Sequence, residues 1–339
     1  MISARASPGP PPSLSTVVKE SPELQKRQDA VLDAISATPQ EIGQLYRERR
    51  SQYNRPYLKG LARHAILDRP LIRTTDNRVI APIPHLVGAR TFDYLANLCK
   101  DSGDTIGQKL TSAVELHAKY LLSKTPGLRS IVQESDLKRH FNGQCCDLVY
   151  EHDDGIVPVE IKCTTEGSRV PSADILRSST ATGEICKGIL QLRCISRAIE
   201  DGTFVPIGIT ANTTACKILI TLSEIPFANT QWYYENVLNP RLADIAPDEP
   251  RFERMRDCVI ISLRDFEKMI CYIISEKYSV SNFISRYTGE DYSAVGEIGT
   301  YLESITSQIG LPYPNFIRET GHAFIESVRN DWDELRIDR

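Results

Sequence analysis

The chain has 339 residues, 41% of them hydrophobic, and a formal net charge of −4 from 40 basic and 44 acidic side chains. That is enough apolar material for one elaborated domain or two small ones. No run of 18 apolar residues and no basic stretch leading into an apolar one occurs, so neither a transmembrane span nor a secretory signal is expected.

The nine cysteines (99, 145, 146, 163, 186, 194, 216, 258 and 271) are odd in number and contain no C-x-x-C. They read as reduced core residues of a cytoplasmic protein, with no zinc or iron–sulfur pattern. Charge is unevenly spread. Residues 47 to 78 hold nine basic and three acidic side chains, with Tyr46, Tyr53 and Tyr57 interleaved, which leaves the remainder of the chain at −10. A basic stretch carrying aromatics suits phosphate contact with stacking, and Arg49, Arg50, Arg55 and Lys59 are its candidate contacts.

In chain order, residues 1–18 are rich in Pro and Ser and read as a disordered tail. Residues 19–104 read as mainly helical, with a helix start at Thr38-Pro39-Gln40-Glu41, a small hairpin over Leu71–Pro82 and a helix from Phe92. The apolar spacing at 110, 114, 118 and 121 predicts a helix over 106–122. Ser130–Gln133 reads as a strand. A hairpin follows, with Leu148, Val149 and Tyr150 on one arm and Ile156, Val157, Val159 and Ile161 on the other, around Asp153-Asp154-Gly155. A second helix is predicted over Gly183–Ile199, then strands over Phe204–Thr210 and Lys217–Leu222. The region 223–339 reads as mainly helical, interrupted by a strand-like run over Asp257–Leu263. Trp232-Tyr233-Tyr234 reads as a packing cluster, and the acidic end (Asp331, Asp333, Glu334) as a solvated face.

The hairpin is the chemically telling element. A loop centred on Asp153-Asp154 sets Asp147 opposite Glu160; an Asp154-Gly155 loop sets it opposite Lys162. In either register the two-residue period puts Asp147, Glu160 and Lys162 on one face, within cross-strand reach. Charged side chains on an otherwise apolar strand are costly unless paired or bound to a metal. Two carboxylates and a lysine at one place suit a divalent cation and an activated water. The bland alternative is an exposed cross-strand ion pair of little energetic weight.

With its flanking elements, this stretch resembles the PD-(D/E)XK nuclease superfamily over roughly residues 105 to 222. That family's core is a helix, a sheet carrying D…E-x-K, a second helix and a further strand, the order found here. The resemblance implies an α/β, restriction-endonuclease-like core, a central mixed sheet flanked by helices, with helical N- and C-terminal extensions. It implies Mg²⁺, with Mn²⁺ able to substitute, held by Asp147, Glu160 and the Ile161 carbonyl. Glu115 on the first helix stands where many members have an extra metal ligand. Gln191 on the second helix stands where the RecB-like branch has an active-site glutamine. Lys162 would prepare the attacking water or stabilise developing charge. Cys146 replaces a proline common before the Asp, and Ile195 replaces the tyrosine of the RecB-like Q-x-x-x-Y.

The Ser- and Thr-rich segment 164–183, with Arg169 and Arg177, reads as a loop that closes over substrate, and Lys187 lies one turn before Gln191. These three join the candidate nucleic-acid contacts. The expected function is a metal-dependent DNA endonuclease in restriction or phage defence, acting as a homodimer or with a defence-system partner and without a membrane. The alternatives are a nuclease-fold binding or scaffold subunit without turnover, and an RNA-cleaving toxin.

Overall fold

The computed structural model describes residues 22–51, 69–76, 78–82, 87, 104–164, 173–209, 214–225, 227–251, 258–289 and 298–306. The expected tail, the helix from Phe92 and the acidic C-terminal end lie outside these residues. The chain divides into two units, 1–102 with 168–170, and 103–167 with 171–339.

In the first unit the expected helical stretch is broken in two. Helix α1 (Pro22–Ile35) ends in a short strand β1 (Ser36–Ala37), and helix α2 (Pro39–Ser51) then begins. Thr38 explains the break. Its N–H and Oγ1–H both donate to Glu41 Oε2, at 2.8 and 3.0 Å, while Glu41 N–H donates back to Thr38 Oγ1. This reciprocal capping box starts a new helix. β1 runs parallel to β2 (Leu71–Arg73), which pairs antiparallel with β3 (Val79–Ile80). Arg69 donates to the Asp33 and Ala34 carbonyls at the end of α1, and Arg73 pairs with Asp33 and Ser36. Part of the positive charge of 47–78 is therefore used to hold this unit together.

The second unit is built on a five-stranded mixed sheet in the order β4 (Leu128–Gln133), β5 (Leu148–His152), β6 (Gly155–Lys162), β7 (Ile218–Thr221), β8 (Val259–Ser262). β4, β5 and β6 form an antiparallel meander; β6, β7 and β8 are parallel. The apolar runs of β5 to β8 are buried almost throughout, as a sheet covered on both faces requires. The covering helices are α3 (Asp104–Leu122), the short α4 (Glu134–Leu137) and α5 (Ala173–Ser178), α6 (Thr180–Glu200), α7 (Gln231–Tyr233) and α8 (Asn239–Ile245). α9 (Leu263–Glu276), α10 (Val280–Tyr287) and α11 (Ile298–Thr306) complete the set. α6 begins at a Ser179 cap, whose Oγ accepts from Thr182 N–H.

Three expectations change here. Segment 164–183, expected as a loop, is helical in α5 and again from Thr180 in α6, while 165–172 lie outside the described residues. Phe204–Ile209 is not a strand: Val205–Ile207 is a 3₁₀ turn closed by Gly208 in the left-handed region. Pro206 has no N–H to give a ladder, and glycine accepts the positive φ that ends the turn. Conversely, the run near Asp257–Leu263 is not an isolated strand in a helical tail. As β8 it extends the central sheet past residue 222, so the sheet is longer than the 105–222 core. The outer edge of β8 is covered by the buried Asn229. Its side chain donates to Ile260 O at 2.7 Å and accepts from Ile260 N–H at 2.9 Å, standing in for a sixth strand. Tyr233 and Tyr234 are buried, whereas Trp232 is largely exposed, its ring edge against Phe227. The eight described cysteines are free thiols, six of them buried. No helix among the described residues is long and apolar enough to cross a membrane.

Candidate active site at the β5–β6 hairpin

The hairpin closes with His152 opposite Gly155, so Asp153-Asp154 is its loop and Leu148 pairs with Val159. Of the two registers the sequence permits, this is the one that sets Asp147 opposite Glu160. The turn is pinned by His152, whose Nδ1 accepts from Asp154 N–H while Nε2 bonds the Pro126 carbonyl at 2.7 Å. With Nδ1 accepting, the ring proton sits on Nε2.

At the far end the functional groups close a ring of hydrogen bonds. Asp147 N–H donates to Glu160 Oε2 at 3.2 Å, and Ile161 N–H donates to Asp147 Oδ2 at 2.7 Å. Lys162 Nζ lies 2.7 Å from Glu160 Oε1 and donates to Gln191 Oε1 at 2.8 Å. Gln191 Nε2 donates to the Cys145 carbonyl at 2.8 Å, which returns the circuit to the chain just before Asp147. β5, β6 and α6 are thus tied together through the candidate catalytic side chains. Gly188 makes this possible. A Cβ there would lie 2.6 Å from Leu219 Cδ1 and 3.2 Å from Glu160 Cγ and Lys162 Cε, so a side chain at 188 would push against the buried Leu219 and crowd the site where α6 comes down onto it.

The ring is crowded with negative charge. Glu160 is 1% exposed, and burial together with the neighbouring Asp147 carboxylate pushes its carboxyl up to about 8. Burial also raises Asp147, against the pull of the Ile161 N–H and the Lys162 ammonium. Glu115 on α3 is raised by burial and then by the charges of Asp147 and Glu134. A carboxylate pair that resists ionisation until a cation arrives is the electrostatic condition of a divalent-metal site. Among the described residues no group of three or more His, Cys, Asp or Glu forms a ready-made ligand set. The oxygens the structure brings together are the carboxylates of Asp147 and Glu160, beside which the resemblance implies the Ile161 carbonyl. These are hard oxygens, few in number, a set that fits Mg²⁺, which keeps waters and phosphate oxygens in its shell. Glu115 joins them electrostatically, as a neighbour that Asp147 repels.

The other candidates separate. Gln191 is inside the ring. Lys187, one turn earlier, is 61% exposed and pairs with Glu184 at 2.7 Å, outside it. Arg177 donates to the Asn236 carbonyl at 3.2 Å. In the other unit Arg50 is exposed and lies over the Tyr46 ring. The Arg49 side chain, Arg55, Lys59 and Arg169 lie outside what the structure describes. Sequence reasoning missed Gly188, the Cys145 carbonyl and Glu134, whose N–H donates to Asp147 O at 2.9 Å. An isolated glycine three residues before Gln191 in a helical pattern was a usable signal; a backbone carbonyl carries none.

No family model, no curated protein and no solved structure matches this chain.

Proposed function

We propose that the protein is a metal-dependent nuclease with a restriction-endonuclease-like core, and that it hydrolyses phosphodiester bonds of DNA, in the setting of restriction or phage defence. The observation that carries this reading is the closed ring of Asp147, Glu160, Lys162 and Gln191, with the Glu160 carboxyl pushed up to about 8 beside a second carboxylate. A purely structural ion pair needs no second buried carboxylate and no fourth polar side chain. Asp147, Glu160 and the Ile161 carbonyl would hold Mg²⁺ or Mn²⁺. When bound, the cation supplies neutralisation of phosphate charge and a more acidic water.

The protein's own groups do the rest. The Ile161 N–H fixes the Asp147 carboxylate, leaving its other oxygen for the cation. Gln191 holds Lys162 Nζ in place, anchored in turn on the Cys145 carbonyl. Lys162 Nζ, held between Glu160 Oε1 and Gln191 Oε1, would stand beside the scissile phosphate. There it orients the attacking water and steadies charge in the transition state. Glu115 adds negative charge beside Asp147 and so favours cation entry.

A second reading is a nuclease-fold subunit that binds nucleic acid without turnover. It draws on the Glu160–Lys162 pair, which is satisfied without a metal. One experiment separates the readings: incubation of the chain and its Asp147→Ala variant with plasmid, linear and single-stranded DNA and with RNA, in Mg²⁺, Mn²⁺ or EDTA. Cleavage by the wild-type chain that needs metal and Asp147 is expected. Binding without cleavage in every arm selects the second reading, and cleavage of RNA alone moves the substrate to RNA.

A further inference from the structure

The carboxylates of the hairpin belong to a longer row. β4 and β5 pair Gln133 with Leu148, and one step further Glu134 N–H donates to the Asp147 carbonyl at 2.9 Å. Glu134 therefore stands opposite Asp147, as Asp147 stands opposite Glu160. Residues opposed in this way share a face of the sheet, about 5 Å apart. A lysine holds each end of the row. Lys162 Nζ is 2.7 Å from Glu160 Oε1, and Lys138 Nζ is 2.7 Å from Glu134 Oε1.

The two lysines are held differently. The Lys162 side chain is 18% exposed and gives a second bond to Gln191, so it is fixed in the ring. Lys138 closes the short helix α4, its side chain is 57% exposed, and its carboxylate partner four residues back is itself 38% exposed. A pair of this kind is screened by water and contributes little, so Lys138 can exchange Glu134 for another anion at small cost. Its charge already reaches the site. Asp147, raised chiefly by burial, is drawn back by the Ile161 N–H, by Lys162 and, more weakly, by Lys138.

A nucleic-acid strand that approaches Asp147 and Glu160 also meets Glu134 and Glu115, and this row of carboxylates repels it. A cation at Asp147 and Glu160 offsets part of that repulsion. An ammonium at the open end of the row offsets more, and its three rotatable donors suit a phosphate oxygen.

We infer that Lys138 contacts a backbone phosphate of the bound strand at the Glu134 end of the site, exchanging the Glu134 carboxylate for that phosphate. The inference rests on the nuclease reading above and adds to it a strand contact outside the ring.

The test uses the full chain with Lys138→Gln and Lys138→Arg, and Lys124→Gln as a control. Lys124 is exposed, carries the same charge and precedes β4 at the end away from Glu134. Binding of a labelled oligonucleotide is followed by anisotropy in EDTA between about 50 and 200 mM salt, with thermal melting of each variant alongside. Lys138→Gln should bind more weakly than wild type. Its slope of log Kd against log salt should be shallower by about 0.9 on duplex or about 0.7 on single strands, the loss of one phosphate contact. On duplex the deficit should therefore shrink about 3.5-fold across that salt range. Lys138→Arg keeps the charge and should keep the slope. In steady-state cleavage the Lys138→Gln loss should fall on KM. Wild-type affinity and slope in Lys138→Gln overturn the contact, as does an equal change in Lys124→Gln. Metal-dependent cleavage that Asp147→Ala abolishes then leaves the nuclease reading standing. Weaker binding with an unchanged slope and a lower melting temperature assigns Lys138 to the folding of α4 instead, and absence of binding by the wild-type chain also overturns the contact. A slope that depends on Lys138, with no cleavage by wild type, keeps the contact and sinks the nuclease.

Discussion

Strands β6 and β7 run side by side in parallel register, and the contrast between them isolates the chemistry. Glu160 is paired with Leu219, and Lys162 with Thr221. Both strands are buried and both lie under α6 at Gly188. β7 fills these positions with an aliphatic side chain and a hydroxyl that donates to the Ser223 carbonyl at 2.8 Å. The fold therefore accepts uncharged residues here, and the charges of β6 are an addition to what packing requires. A buried ion pair seldom stabilises a protein relative to a well-packed apolar pair, so its presence points to use.

The largest expected effect comes from making β6 like β7. Glu160→Leu with Lys162→Met should leave stability unchanged or raise it by about 1–4 kcal/mol in urea unfolding. The same change should lower metal-dependent cleavage by at least about 10²–10³-fold, as should Asp147→Ala alone. A double variant that unfolds at much lower urea would show that the charges are structural after all.

Next is the close approach of α6. Gly188→Ala places a methyl against Leu219 and should cost about 1–3 kcal/mol through overpacking. Activity should fall with it, because the same shift moves Gln191 off Lys162. Trimming Leu219 to Ala in that background should restore part of both; failure to restore either would detach Gly188 from the site.

A third expectation concerns pH. An acid raised in the folded state binds more protons there than in the unfolded chain. In EDTA, stability should therefore fall as pH rises from the usual glutamate range to about 8, and level off above it. Glu160→Gln should flatten this decline in melting temperature against pH. Metal binding demands the ionised carboxylate, so Mg²⁺ affinity measured by calorimetry should climb over the same interval, with proton release. A pH-independent affinity between 6 and 8 would contradict the raised Glu160.

The smallest effect lies at the opposite edge of the sheet. Asn229→Ala leaves the N–H and carbonyl of Ile260 without partners and should cost about 1–3 kcal/mol in chemical unfolding, with kcat unaffected. A loss of activity at constant stability would tie β8 to the site, beyond the contrast of β6 with β7.

The sequence by itself determined what depends on local period. Alternation placed Asp147, Glu160 and Lys162 on one face, and the 3.6-residue period placed Gln191 on a helix that could reach them. The apolar runs marked β5 to β8 because a sheet covered on both sides must be apolar on both. Tertiary structure decided what depends on which elements meet. It selected the Asp153-Asp154 loop over its neighbour and so set Asp147 against Glu160. It let α6 descend at Gly188 and Gln191 bridge Lys162 to the Cys145 carbonyl, and it recruited residues 259–262 as a fifth strand. Phe204–Ile209, apolar enough for a strand, became a turn because Pro206 and Gly208 outweigh propensity. Period is written in single residues, but a close approach is a property of two surfaces, and burial that drives a carboxyl toward neutrality exists only when both are in place.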